Sequence, residues 1–260
     1  MFFDLHNDFP TRFLNTDYCR YIGTTDGIIT AVIFTTEFLR SSCKAVKSIT
    51  ERLMCACPLP IAIEDIGFLY SREGYRAFDF SKYFYCSLTW NYNNGFAGGA
   101  LDDGCLTRHG KKVIRLIEQS GCYIDLAHLN RKSFFQVADF AQNVICSHTG
   151  FNGHPRSLND EQIRLLIERR AVIGLCTVRK FSGAHTARRF ADVIDGFVQK
   201  YGCDCLALGT DFNGSDDIPD DINDYKKLSD VQNLLYNRGY DRTTINKIFF
   251  ENANNLYKKG

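Results

Sequence analysis

The sequence has 260 residues, of which 45% are hydrophobic and 23% are charged, and its formal net charge at pH 7 is +1. A chain of this length and apolar content can fill one large α/β core, and its interspersed charges form no basic block that would follow a phosphate backbone. No apolar run reaches the roughly 20 residues that span a bilayer, and no secretion signal pattern opens the sequence. We therefore expect a cytoplasmic protein without a nucleic-acid or membrane partner.

The cysteine content is high and odd, with 11 cysteines in the sequence. An odd total argues against a closed disulfide framework, and cysteines inside apolar runs behave as small hydrophobic residues. We expect reduced structural thiols. A soft-metal site at Cys55 and Cys57 or at Cys203 and Cys205 stays an alternative, although neither pair has the two-residue spacing of a zinc knuckle.

Eight short apolar or β-branched runs have the composition of strands that are buried on both faces. In chain order they cover residues 1–8, 27–35, 61–65, 83–90, 121–128, 143–148, 171–178 and 205–211. Helical patterns cover residues 37–57, 106–119, 131–141, 161–170, 186–201, 224–239 and 242–258, and residues 65–82 have the pattern of a short, irregular helical connection. The alternation predicts an α/β fold, a compact (β/α)8 TIM barrel that forms one domain over residues 1–260 with one or two C-terminal helices. Its weakest unit is the connection 9–26, which makes a poor helix.

Metal-competent side chains fall at the carboxyl ends of these predicted strands. His128 and His148 close two consecutive strands, and the others are His6, Asp8, Glu64 and Asp211. The carboxyl ends of barrel strands meet on one face, where ligands bind, and neutral imidazole is the commonest metal ligand. We therefore expect a metal site whose ligands are scattered along most of the sequence.

Six ligands exceed the needs of one tetrahedral zinc that keeps an open position. They suit two ions that share a bridging carboxylate and a bridging water, and such ions bring the pKa of bound water towards neutrality and polarise a carbonyl oxygen. A nearby carboxylate can accept the proton and later deliver it to a leaving amine. This chemistry predicts hydrolysis of an amide or a related bond.

Several short motifs occur together and in a fixed order. They are His6-x-Asp8, Ile63-Glu64, Ser87-Leu-Thr-Trp-Asn91, Ile124-Asp-Leu-Ala-His128, Ser147-His148, His154-Pro-Arg156 and Gly209-Thr-Asp-Phe-Asn-Gly214. As a set, from Phe2 to about Leu256, they resemble the renal or membrane dipeptidase family, peptidase family M19, of the amidohydrolase-like metal-dependent barrels. The resemblance implies a dizinc metallo-dipeptidase that hydrolyses the peptide bond of small dipeptides with a zinc-activated hydroxide.

The same resemblance assigns the metal ligands residue by residue. His6 and Asp8 are expected to hold one zinc, and His128 and His148 are expected to hold the other. Glu64 is expected to bridge the two ions. Manganese or iron remains open, because histidine and carboxylate ligands suit several metals.

The resemblance also implies the catalytic and substrate-binding residues. Asp211 is the expected proton-handling carboxylate, so that Asp211 and Glu64 are the catalytic candidates. Arg156 matches the arginine that takes the terminal carboxylate of the dipeptide, a task that suits its planar fork of donors. Two substrate-site candidates depart from the family pattern. Family members that resemble the mammalian enzyme have a histidine at the position of Trp90, and that histidine contacts the oxyanion of the tetrahedral intermediate. Asn213 stands where the family usually has an aspartate.

Two other functions stay open beside the dipeptidase. One is a related metal-dependent amidase, lactamase or cyclic-amide hydrolase on the same centre. The other is a catalytically silent homologue that binds a small ligand. The substitutions at Trp90 and Asn213 favour this alternative, as does the segment 9–60, which is short for the family. The expected binding partner is a small dipeptide substrate, and the formation of a homodimer stays open.

Overall fold

A computed structural model describes residues 1–13, 18, 27–35, 43–56 and 58–259. Its strands are β1 (Phe3–Asn7), β2 (Ile28–Phe34), β3 (Ile61–Glu64), β4 (Tyr85–Ser87), β5 (Tyr123–Asp125), β6 (Val144–Thr149), β7 (Ile173–Leu175) and β8 (Leu206–Leu208). They follow one another in the order β1 to β8 around a closed barrel. The (β/α)8 barrel predicted from the alternating pattern is confirmed.

The helices fall between the strands and after the last of them. The α-helices are Phe9–Arg12, Cys43–Ala56, Arg108–Gln119, Arg131–Phe140, Asp160–Glu168, Arg179–Ser182, Ala187–Tyr201, Leu228–Asn237, Arg242–Asn246 and Asn252–Tyr257. Short 3-10 turns cover Ile66–Leu69, Ser71–Arg76, Phe80–Lys82, Asp220–Ile222 and Tyr225–Lys227, and a π-helical turn covers Lys247–Glu251. The irregular connection expected over residues 65–82 and the helices after β8 are thus present.

Asp241 begins the helix Arg242–Asn246 with a side chain that accepts from a free backbone N–H of the first turn. Four further helices begin in the same way at a Thr or an Asn, which is a usual role of these residues at this position. These residues are Thr107, Asn130, Asn159 and Thr186. Asn159 also forms a capping box, because its Oδ1 accepts from the backbone N–H of Gln162 at 3.0 Å while Gln162 Oε1 accepts from the backbone N–H of Asn159 at 3.1 Å.

The described residues group into two compact units, and the first comprises 1–7, 27–30 and 147–259. Within it β8 pairs in parallel with β1, where Asp4 lies opposite Leu208, and with β7, where Ile173 lies opposite Leu206. Its core is made of fully buried side chains, which include Phe3, Leu5, Phe190, Ile194 and Phe249. Burying an aliphatic or aromatic side chain of this size contributes about 1.5–3 kcal/mol to folding.

The second unit comprises the described residues among 8–18 and 31–146. Within it β2, β3, β4, β5 and the start of β6 pair in parallel in sequence order. Ile33, Ile63, Tyr85, Ile124 and Phe134 are fully buried between these strands and their helices. One domain over residues 1–260 stays a prediction.

Several strands are shorter than their apolar runs predict. We expected β5 to end at His128 and β8 at Asp211, but the strands end at Asp125 and Leu208. The backbone turns instead into the left-handed region, with φ of 66° at His128 and 62° at Asp211. An apolar run does not indicate such a turn, because the residues around the turn stay buried although they lie outside the strand.

Some predictions reach beyond the described residues. The helix expected over residues 37–57 is present as Cys43–Ala56, while 36–42 and 57 lie outside the described part, as do 14–17 and 19–26 of the weak connection. Nine cysteines in the described part are free, as expected; Cys19 and Cys57 lie outside it. Among the helices that the structure describes, none is both long and apolar enough to cross a bilayer.

Candidate functional site

The predicted metal ligands lie at, or just past, the carboxyl ends of their strands. His6 and His148 lie near the ends of β1 and β6, and Glu64 is the last residue of β3. Asp8 follows β1 and precedes a short helix, whose backbone N–H groups at Thr11 and Arg12 both donate to the Asp8 carbonyl at 3.0 Å. His128 and Asp211 follow β5 and β8 in left-handed conformations, which are uncommon outside glycine and concentrate at functional positions.

Within the first unit, three of the predicted residues form one cluster. The ligand atoms of His6, His148 and Asp211 all lie within 4.8 Å of one another. The two imidazole rings have centroids 3.8 Å apart, and both histidines are at most 1% exposed. The Asp211 backbone N–H donates to the His6 carbonyl at 3.1 Å, which ties the turn after β8 to the end of β1. Imidazole and carboxylate groups are donors that suit divalent metal ions such as zinc, and these three lie close enough together to belong to one metal centre.

The two histidines share a neighbour that orients their rings. The Ser147 hydroxyl lies 2.9 Å from His148 Nδ1 and 3.3 Å from His6 Nδ1. Its backbone carbonyl is packed against two glycines, because a Cβ built on Gly174 or on Gly209 would lie only 1.9 Å from that oxygen. Glycine at both positions therefore lets β6 approach β7 and β8 closely enough to set the position of His148.

Arg156 reaches the same cluster from the loop that follows β6. Its Nη2 lies 3.0 Å from His148 Nε2, its guanidinium lies 5.5 Å from the centre of the Phe181 ring, and the residue is only 5% exposed. Its backbone N–H donates to His154 Nδ1 at 3.1 Å. Burial lowers the pKa of His154 below its usual 6.5, and the charges of Lys180 and Arg156 act in the same direction. The neutral imidazole that this hydrogen bond requires is thus favoured.

Asn213 belongs to a hydrogen-bonded network under the cluster. Its Nδ2 donates to Asn7 Oδ1 at 2.8 Å, Asn7 Nδ2 donates to the Tyr225 hydroxyl, and that hydroxyl donates to Asp4. Asp4 also accepts from the backbone N–H and the hydroxyl of Thr210. Burial raises the pKa of Asp4, while the hydrogen bonds that it accepts oppose this rise.

Within the second unit, Glu64 and His128 are in direct contact. Glu64 Oε1 lies 2.6 Å from His128 Nε2, and the two residues are 4% and 5% exposed. Asn91 Oδ1 lies 2.9 Å from the other ring nitrogen, Nδ1, so the amide can fix the tautomer and orientation of the imidazole. The carboxylate and the Nε2 atom form a second donor set that fits a divalent metal.

Trp90 lies beside His128 in the second unit, with ring centroids 6.1 Å apart. Phe34 and Tyr92 flank the indole, with centroids at 5.3 Å and 6.4 Å from it. The indole can donate one hydrogen bond but cannot accept one or exchange a proton as a histidine does. This aromatic group supplies an apolar wall with a single N–H donor.

Several supporting residues escaped the sequence analysis. Ser147 and Asn91 occur inside recognised motifs, but spacing alone gives them no role. Asp4 carried a weak signal, because an acid inside an apolar strand needs partners when it is buried. Tyr225 carried none, since it is separated from Asp4 by 221 residues.

Comparison with known proteins places the chain in a family. The family model described as membrane dipeptidase (peptidase family M19) matches residues 81–259, so His6, Asp8 and Glu64 lie outside the matched stretch. An uncharacterized protein of Klebsiella pneumoniae from the pqqA 5′ region is 30% identical over 185 residues, which are 63% of this chain and 67% of that protein. An uncharacterized dipeptidase of Schizosaccharomyces pombe is 25% identical over 67% of this chain, and this chain spans only 46% of its length.

The solved structures agree on the fold. A metallopeptidase from Rhodobacter sphaeroides, bound to a phosphinate mimic of the dipeptide L-Ala-D-Ala, superposes with a TM-score of 0.79 at 17% identity, covering 99% of this chain and 98% of that one. At this identity the likeness is one of fold. The family model, by contrast, covers more than half of the chain and includes His128, His148, Arg156 and Asp211. The chain therefore belongs to the membrane dipeptidase family, peptidase family M19.

Proposed function

We propose that this protein is a metal-dependent dipeptidase that hydrolyses the peptide bond of small dipeptides and uses two zinc ions. The observation that carries the proposal is the buried cluster of His6, His148 and Asp211, with the guanidinium of Arg156 at 3.0 Å from His148 Nε2. Metal ligands beside a cation that can bind a carboxylate suit the hydrolysis of a free dipeptide. Membership of the dipeptidase family supports the same function.

The metal ligands in this proposal are those that the family resemblance implies. His6 and Asp8 would hold one ion, His128 and His148 would hold the other, and Glu64 would be shared by both. Divalent ions bound there supply an acidified water and polarise the carbonyl of the scissile bond. Asn91 and Ser147 keep the imidazoles of His128 and His148 oriented, because each lies within hydrogen-bond distance of an Nδ1 atom.

Asp211 handles the proton in this reaction. Its carboxylate accepts a proton from the attacking water and delivers it to the amine that leaves when the peptide bond breaks. Its left-handed backbone, with φ of 62°, and the hydrogen bond from its N–H to the His6 carbonyl hold the side chain in place. A fixed carboxylate avoids the cost of reorganisation during proton transfer.

Arg156 and Trp90 bind the substrate at two different groups. Arg156 takes the terminal carboxylate, and the ring of Phe181 keeps its guanidinium in position. Trp90 contributes an apolar wall and one N–H, which can donate to the oxyanion that forms on the former carbonyl oxygen. The likeness to a structure with a bound L-Ala-D-Ala mimic supports testing a D-residue at the carboxyl side of the dipeptide.

The experiment combines metal analysis with a substrate panel. The protein, purified without chelator, should contain about two zinc ions per chain and hydrolyse L-Ala-L-Ala or L-Ala-D-Ala, but neither an N-acylated amino acid amide nor a cyclic amide. His128→Ala should lose one ion and the activity, whereas His109→Ala, a matched control at a half-exposed histidine bonded to Tyr75, should keep both.

Each other outcome favours a different function. Turnover of cyclic or acylated amides without dipeptide turnover would favour the amidase reading. Ligand binding without turnover of any substrate would favour a silent binding protein. Cytoplasmic location and a homodimer stay proposals from the sequence, which cell fractionation and size-exclusion chromatography would test.

A further inference from the structure

A chain of hydrogen bonds connects the loop after β8 to the interior of β1 in the first unit. We call it the polar chain, and it consists of Asn213, Asn7, Tyr225 and Asp4. Asn213 Nδ2 lies 2.8 Å from Asn7 Oδ1, Asn7 Nδ2 lies 2.5 Å from the Tyr225 hydroxyl, and that hydroxyl lies 2.5 Å from Asp4 Oδ2. Asp4, at its inner end, is fully buried.

Asp4 contacts the backbone of the proposed metal ligand His6 and the residue that precedes Asp211. Its Oδ1 accepts from the backbone N–H of His6 at 3.2 Å and from the backbone N–H of Thr210 at 2.7 Å. Its Oδ2 accepts from the Thr210 hydroxyl as well as from Tyr225. Because Thr210 precedes Asp211, Asp4 fixes both the strand that carries His6 and the turn that carries Asp211.

The polar chain has only one consistent direction. Asp4 is surrounded by donors, so the Tyr225 hydroxyl donates to it and its oxygen is left to accept from Asn7. Asn7 therefore presents its NH2 group to Tyr225 and its oxygen to residue 213. Only a donor at position 213 completes the chain, and an asparagine supplies one where an aspartate does not.

The tyrosine at the centre of the polar chain is held rigidly. Its ring stacks on Phe2, with centroids 4.4 Å apart and planes 9° apart, and it meets the edge of Phe212 at 5.0 Å. Phe212 lies between Asp211 and Asn213 in the same turn, and its N–H donates to the Thr210 hydroxyl at 3.2 Å. The packing fixes the position of the Tyr225 oxygen, so a change at either end of the polar chain can be met there only by rotation of the O–H bond.

We propose that the polar chain positions His6 and Asp211 for metal binding and proton transfer, and that Asn213 is required because it fixes the direction of the chain. This inference rests on the proposed metal-dependent hydrolase. It gives Asn213, Tyr225 and Asp4 the role of positioning residues, which act on the site through His6 and Asp211. An aspartate at position 213 would face Asn7 Oδ1, force the amide of Asn7 to flip, and turn the Tyr225 hydroxyl away from Asp4.

The experiment uses Co2+ as the probe, because its visible absorption reports the geometry of its ligands. Asn213→Asp and Tyr225→Phe should each weaken Co2+ binding about 10- to 100-fold, the usual effect of removing a partner of a metal ligand, and change the visible spectrum. The double variant should lose less than the product of the two single effects, since both changes break the same chain. In a hydrolysis assay at saturating metal, Asn213→Asp should lower kcat with little change in KM.

Two exposed positions in the first unit provide matched controls. Asn233→Asp and Tyr236→Phe make the same chemical changes on the surface of the helix Leu228–Asn237, where Tyr236 is 58% exposed, and should leave Co2+ affinity and spectrum unchanged. If Tyr225→Phe does not fold, the Co2+ affinity and spectrum of Asn213→Asp alone test the inference. A wild-type affinity and spectrum in Asn213→Asp would overturn the inference. Absence of metal binding and of hydrolysis in the unmodified protein would instead refute the proposed function, and the inference with it.

Discussion

Replacing Arg156 with methionine should abolish the preference for substrates that have a free carboxylate. Methionine keeps a flexible side chain of similar length against Phe181 and removes the charge and all the donors. Arg156 is only 5% exposed, so its hydrogen bonds to a substrate would be shielded from water. Each hydrogen bond to a charged group contributes about 1.5–3 kcal/mol. Two of them give about 3–6 kcal/mol, which corresponds to a fall of about 10²–10⁴ in kcat/KM for a free dipeptide.

The assay compares a free dipeptide with the amide of the same dipeptide, which lacks the carboxylate. Arg156→Met should reduce kcat/KM for the free dipeptide alone and bring the ratio of the two substrates close to one. Arg156→Lys should lie between the wild type and Arg156→Met, because lysine keeps the charge and loses the planar fork. The matched control is Arg179→Met, whose arginine pairs with Asp217 at 2.9 Å, and this variant should keep the wild-type ratio.

One result would refute this reasoning directly. If Arg156→Met slowed hydrolysis of the free dipeptide and of its amide by the same factor at equal metal content, the arginine would not recognise the carboxylate. Metal content has to be measured in each variant, because Arg156 also contacts His148. A uniform loss of this kind would assign Arg156 to the support of that histidine.

Three further predictions concern the proton, the pH and the packing of the site. Asp211→Asn, assayed at saturating metal, should lower kcat by about 10²–10⁴; a near-normal kcat would remove Asp211 from proton transfer. Because the pKa of His154 is lowered from 6.5 and its neutral Nδ1 accepts the Arg156 N–H, KM should rise only as the pH falls below 6.5 and His154 becomes protonated. His154→Gln should show a smaller acid-side rise in KM than the wild type, and an identical profile would contradict this role. Gly209→Ala should destabilise the protein by about 1–3 kcal/mol in urea unfolding and weaken metal binding, because the new Cβ would lie 1.9 Å from the Ser147 carbonyl. Gly196→Ala, in open space on a helix, is its control and should be neutral or stabilising.

The sequence alone determined the class of the fold and the set of candidate ligands. Apolar runs separated by helical patterns predict alternating strands and helices. The prediction works because the spacing of apolar side chains, which the sequence gives directly, decides which face of a strand or helix is buried. The capping box at Asn159 is a local feature of the same kind, since Asn159 and Gln162 satisfy backbone groups that lie within one turn. The ligand candidates followed from their places at the ends of the apolar runs.

Only the tertiary structure decided how these residues are held. Two strands, β5 and β8, end earlier than their apolar runs predict, and the backbone then turns into the left-handed region at His128 and Asp211. The apolar pattern missed these ends because the residues beyond them remain buried. The contact of Ser147 with His6 joins residues separated by 141 positions, and that of Tyr225 with Asp4 joins residues separated by 221. Such contacts depend on distances between distant segments, and no local pattern encodes a distance. The sequence thus determined which groups carry the chemistry, and the folded chain determined which side chains orient them.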